Sequence, residues 1–119
     1  MEQKLSRIQK RDLLNEVYSV DEKGPGGANH LYSVKSTTNN FSTTVQFQKG
    51  PRNKQDSVEG VLDTDLLEMV RDRYTAFQSG IFANKETEMA LMHIENALLW
   101  LNKRVEDRAE REVLGTYNK

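Results

Sequence analysis

Two groups of side chains in this sequence have types and spacings suited to chemistry. In the first, His93, Asn96, Trp100, Arg104, Arg108 and Arg111 recur at intervals of three and four residues, the interval that stacks side chains along one face of a helix. Arg104 and Arg108 form a like-charged i,i+4 pair, which costs about 0.2–0.5 kcal/mol unless carboxylates or a bound anion offset it. Arginine's planar fork makes bidentate contacts to phosphate and stacks on aromatic rings, so this stripe suits a phosphorylated nucleotide. A solvated, salt-bridged face explains the same pattern: Asp107 lies three residues from Arg104 and four from Arg111, and Glu112 lies four from Arg108. The second group is the run GPGGANH, residues 24–30. Its glycines and proline exceed what a tight hairpin turn needs. Asn29 and His30 can either close this loop through local hydrogen bonds or lend polar groups to a site.

The usual catalytic constellations are missing from the sequence. GPGG lacks both the spacing of a dinucleotide-binding loop and a strand-to-helix setting, and there is no Walker lysine. His30 and His93 fall in different halves, without a His-Glu-x-x-His run, and there is no cysteine, so neither a metal centre nor a disulfide framework is expected. No G-x-S-x-G elbow occurs and the carboxylates are scattered. The expectation is a binding protein without cofactor or metal, not an enzyme.

The elements that must position these groups follow from the patterning. With 119 residues and a net charge of −1, the chain fits a single domain, 1–119, and is not a general coat for DNA or RNA, which demands a basic excess. The opening MEQKLSRIQKRD has no apolar core and no long apolar run follows, so a cytoplasmic protein without a membrane partner is expected. The order of patterns is α+β, with a β-rich part over 1–60 and a helical hairpin over 61–119. Period-two alternation predicts strands over 14–20, 30–36 and 42–48 in a small antiparallel sheet. The glycine-rich loop, 21–30, joins the first two, and a polar loop over 49–61 leads to the helices. Asp63 or Thr64 is the expected N-cap of a helix carrying Leu66, Leu67, Val70, Tyr74 and Phe77 and ending at Gly80. Asn84 is the expected cap of a second helix, whose stripe Leu91, Ile94, Leu98, Leu101 and Val105 runs on towards Gly115. Spacing places Phe77 and Phe82 in the core in preference to stacking on a base, and Trp100 in the core or a subunit interface. So long a hairpin beside so small a sheet predicts self-association through the helices.

Several stretches, taken together, resemble the hairpin family of phage anti-CBASS and Thoeris anti-defence proteins. They are DE.GPGGANH.Y, VQFQKGP, EGV, DLLEMV.DRY..FQSG.FA and AL.HIE.ALLWL.KR...R..R.V.GT. The similarity runs from about Val17 to Thr116, and the β-containing first half is closer to the Thoeris branch. The resemblance implies a sponge that binds immune signal nucleotides without cleaving them and so keeps an effector from being switched on. The implied ligands are glycocyclic ADP-ribose isomers, with cyclic di- or trinucleotides at a separate site. The implied assembly is a homo-oligomer, dimers building a hexamer. On this chain the implied ADP-ribose pocket uses Phe77 for stacking and Arg104 and Arg108 for the pyrophosphate, with Asn29 and His30 at its rim. Thr87 stands where relatives often carry asparagine, a shorter reach to a ribose. The implied second site uses Arg52 and Lys23, and lysine keeps the charge there without the fork. A protein-docking hairpin and a signal-degrading enzyme are the two competing expectations.

Overall fold

The structure is a computed structural model that describes residues 2–52 and 54–110. The chain divides into two units, Met1–Val61 and Leu62–Lys119, so the division falls where the sequence changes from strand to helix patterning. The first carries a sheet and the second a helical hairpin, an α+β protein as the patterning predicts.

Strands β1 (Gln3–Lys4), β2 (Asn15–Ser19), β3 (Leu31–Ser36) and β4 (Ser42–Gln46) form an antiparallel meander in that order. β2, β3 and β4 are the three expected strands, β2 trimmed at both ends, β3 at its start and β4 at its end. β1 was not expected, because two residues are too short to show alternation. The register separates the faces. Val17 lies opposite Val34, and Tyr32 lies between Ser19 and Val45, so the more apolar residues share one face. Phe47 continues that face and meets Tyr32 edge-on at 5.6 Å. The other face is polar: the Tyr18 hydroxyl donates to Glu16 at 3.0 Å, Lys4 pairs with Glu16 at 3.4 Å, and the Lys35 ammonium sits 5.0 Å from the Tyr18 ring centre.

After Gln46 the chain changes partners, which is why β4 stops short of residue 48. Gln48 N–H donates to the Val61 carbonyl, and Lys49 and Val58 exchange both backbone hydrogen bonds at 2.9 Å. The segment following β4 thereby folds back on 58–61. Gly60 makes this possible: a Cβ there would strike the Gln46 carbonyl oxygen and lie 2.6 Å from the Phe47 carbonyl carbon.

In the second unit, α1 spans Asp63–Gln78 and α2 Lys85–Glu110. The cap of α1 is Leu62, one residue earlier than expected. Leucine has no acceptor, so the N3 residue works backwards: the Asp65 carboxylate accepts the Leu62 N–H at 2.8 Å. Asp63 and Asp65 also place negative charge at the positive end of the helix dipole. α2 has the predicted cap, with Asn84 Oδ1 accepting the Thr87 N–H at 2.7 Å. Gln78 locks the turn between the helices, its amide donating to the Asn84 carbonyl at 3.0 Å and accepting the Asn84 N–H at 3.1 Å.

Leu66, Leu67, Val70 and Tyr74 of α1 and Leu91, Ile94, Leu98 and Leu101 of α2 are half-buried, and Arg71 bridges to Glu95 at 2.9 Å. No described hydrophobic side chain is fully buried. Phe82 and Trp100 are 70% and 71% exposed, which corrects the core placement for both within a single chain. Arg111, Glu112 and Gly115 lie outside the described residues. Among the described residues no helix is long and apolar enough to cross a membrane.

Candidate functional site

The hairpin carries four of the expected site residues. Phe77 is on the last turn of α1 and is 37% exposed. The Arg73 guanidinium lies 5.3 Å from its ring centre and the Tyr74 ring 6.2 Å away, so the ring is steadied on one side while part stays open. Thr87 is at N3 of α2, with its N–H held by the cap. These two residues share the turn end of the hairpin.

Arg104 and Arg108 stand near the far end of α2 and differ sharply. Arg104 is exposed and pairs with no carboxylate among the described residues. The expected Arg104–Asp107 pair is not what forms: Asp107 reaches Lys103 instead, at 3.5 Å. Arg108 is only 8% exposed and is engaged within the chain. Seventeen residues of continuous helix separate Thr87 from Arg104, about 25 Å at the helical rise. One hairpin therefore does not bring its aromatic end and its arginines together.

An open groove of about 680 Å³ runs between α1 and α2, lined by Asp65, Glu68, Arg71, Glu95, Leu98 and Val105 among others. It includes none of the expected site residues. Its carboxylates oppose an anion, and Glu68 and Glu95 both hold Arg71 and strengthen its hold on its proton. Among the described residues no cluster of histidine and acidic side chains could hold a metal.

In the glycine-rich loop the backbone geometry and the hydrogen bonds of Asn29 and His30 are local. Gly26 and Gly27 have φ of 75° and 78°, the left-handed region that glycine enters without a Cβ penalty. A Cβ on Gly24 would lie 3.1 Å from Lys49 Cε, so the lysine stem packs where a side chain would otherwise be. Asp21 closes the loop. Its carboxylate accepts the His30 N–H at 3.1 Å, and Asn29 Nδ2 donates to the Asp21 carbonyl at 2.6 Å. Burial pushes the Asp21 carboxyl up, but the donors from His30, Leu31 and Asn29 outweigh it and hold the pKa below its ordinary value. The Asn29 side chain and the His30 backbone N–H thus make the local closure, while His30 Nδ1 is buried without a hydrogen-bond partner among the described residues. Lys23 is exposed on the same loop.

Arg52 is held at one edge. Its Nη2 donates to Gln48 Oε1 at 2.9 Å and to the Gly60 carbonyl at 3.0 Å, while Nη1 lies 3.8 Å from Glu59. Gln48 also accepts the Gly60 N–H at 3.2 Å and donates to the Gly50 carbonyl at 3.0 Å. Sequence reading missed Asp21, Gln48, Lys49 and Gln78. Asp21 alone had a local signal, an acidic residue at the mouth of a glycine turn. The others act through contacts that no spacing rule anticipates.

This combination, a small meander followed by a capped helical hairpin with exposed aromatic and arginine side chains, has a match among known families. Residues 42–106 fit the model of the Acb2/Tad1 hairpin domain, and the chain belongs to that family. Among relatives, it is 40% identical over 96 residues to Thoeris anti-defense 1 of Bacillus phage SBSphiJ7. That alignment covers 81% of this chain and 66% of the relative, just under two thirds of its length. The family resemblance drawn from the sequence motifs is thereby borne out.

Proposed function

We propose that this protein is a phage anti-defence sponge, which binds cyclic nucleotide immune signals and withholds them from their effector without breaking a bond. Family membership and the named relative support the anti-defence role. The observation that carries the binding role is the state of the hairpin surface: Arg104 has no carboxylate partner among the described residues, while Phe77 and Trp100 remain open. An unspent cation and open aromatic rings are what a phosphorylated, base-bearing ligand uses.

The separation along α2 supports a pocket made by two chains. Phe77 and Thr87 of one chain face exposed Arg104 of a second chain packed antiparallel to it, with Arg108 one turn further along the same helix, and a homo-oligomer through the helices follows. Exposed Leu99 and Trp100, 67% and 71%, supply apolar surface for that packing. The primary ligand is a glycocyclic ADP-ribose isomer, its pyrophosphate on the arginines and its adenine on Phe77. Arg52 and Lys23, on the loops of the first unit, serve a separate site for cyclic di- or trinucleotides.

The test is incubation with glycocyclic ADP-ribose isomers and cyclic dinucleotides, then heat denaturation and mass spectrometry of what is released. Depletion from solution followed by release of the unmodified molecule is the expected result. A changed mass would mean catalysis. No depletion of any ligand would favour the docking hairpin, for which exposed Ile81, Leu99 and Trp100 provide a surface.

A further inference from the structure

The Arg52 guanidinium is gripped by neutral acceptors at one nitrogen, Nη2, and faces a carboxylate from another, Nη1. Gln48 Oε1 and the Gly60 carbonyl, at 2.9 and 3.0 Å from Nη2, orient the fork without cancelling its charge. They are firmly placed themselves. Gln48 is tied to Gly50 and Gly60, and Gly60 is seated against the backbone of Gln46 and Phe47. The Glu59 contact is of another kind. It is long, at 3.8 Å, it involves one nitrogen, and both side chains are largely exposed, 59% and 76%. Such a pair contributes little in water, whereas a phosphate oxygen accepts a shorter, charge-assisted bond from the Nη1 that Gln48 and Gly60 leave free.

We propose that Glu59 is an intramolecular stand-in for phosphate at Arg52: it balances the aimed guanidinium in the empty protein, and a ligand phosphate binds by displacing it. Gln48 is the positioning residue that keeps the fork aimed while the exchange takes place. Glu59 thereby lowers the affinity of this loop by a small factor, because a phosphate must first compete with a tethered anion. The inference rests on the assignment of Arg52 to the second nucleotide site.

The experiment measures binding of cyclic di-AMP, cyclic di-GMP and cyclic tri-AMP to the full chain and to Glu59→Gln, Asp56→Asn and Arg52→Ala. Asp56 lies in the same loop, and its variant makes the same change in net charge without touching Arg52. Glu59→Gln is expected to tighten binding about two- to fivefold at low salt, the range of an exposed ion pair, while Asp56→Asn stays near wild type. Equal tightening by both variants, or none from Glu59→Gln, would overturn the exchange while leaving the site itself standing. Undiminished binding by Arg52→Ala, or no binding of any of the three by the wild-type chain, would overturn the site and the exchange with it.

Discussion

The two units spend their polar and apolar groups in opposite ways. In the first, loop donors and acceptors are largely used within the loops: Asp21 by His30 and Asn29, Gln48 by Arg52, Gly50 and Gly60. In the second, the helices satisfy their own backbone and their inward stripe is half-buried, yet Leu99, Trp100 and Arg104 remain open. The first unit holds its loops in shape by itself. The second leaves apolar and cationic surface open, the kind of surface that the proposed pocket between chains would use.

The contrast can be broken most severely at Gly60. Gly60→Ala forces a Cβ into the Gln46 and Phe47 backbone, atoms that cannot rotate away. A loss of about 3 kcal/mol of stability is expected, read as a fall in the denaturant midpoint, and an unchanged midpoint would show that the close approach is not required. Next in size is Trp100→Glu, which places a charge on the open face of α2. Sedimentation should show loss of assembly with helical content retained, and unaltered assembly would move the interface elsewhere.

The smallest effect sharpens the account of the glycine loop. The Asp21 pKa is lowered from its ordinary 3.8, so its contribution is fully present above that value and is lost as pH falls below it through the folded-state value. Protection of the His30 and Leu31 amides, corrected for intrinsic exchange, should drop roughly tenfold on acidification through that window, the scale of a hydrogen bond to a charged acceptor. Asp21→Asn should show low protection at both ends of the window. Pronounced pH dependence in the variant would assign the effect to another group.

Much of this arrangement was legible in the sequence because its signals are periodic. The 3.6-residue stripe fixed α1 and α2, alternation found β2 to β4, and Asn84 announced itself as a cap. Leu62 as a cap was not legible, because the capping work is done by Asp65 three residues later. Arg104 and Arg108 read identically, one turn apart on one stripe, yet one is exposed and the other 8% exposed. Burial is decided by what packs on a residue, which periodicity does not encode. The Arg52 cradle was hidden for a related reason: Gln48 and Gly60 are twelve residues apart and meet only because the chain changes partners after β4.

A ligand pocket assembled from opposite ends of two hairpins is tested by subunit mixing. Phe77→Ala and Arg104→Ala chains, each expected to bind no glycocyclic ADP-ribose alone, are refolded together in equal amounts and assayed by release of bound ligand. If each site takes Phe77 from one chain and Arg104 from its two-fold partner, random pairing rebuilds about one quarter of the wild-type sites. Recovery near that level is the predicted result. Assembly of the mixture with no recovered binding would contradict the shared pocket.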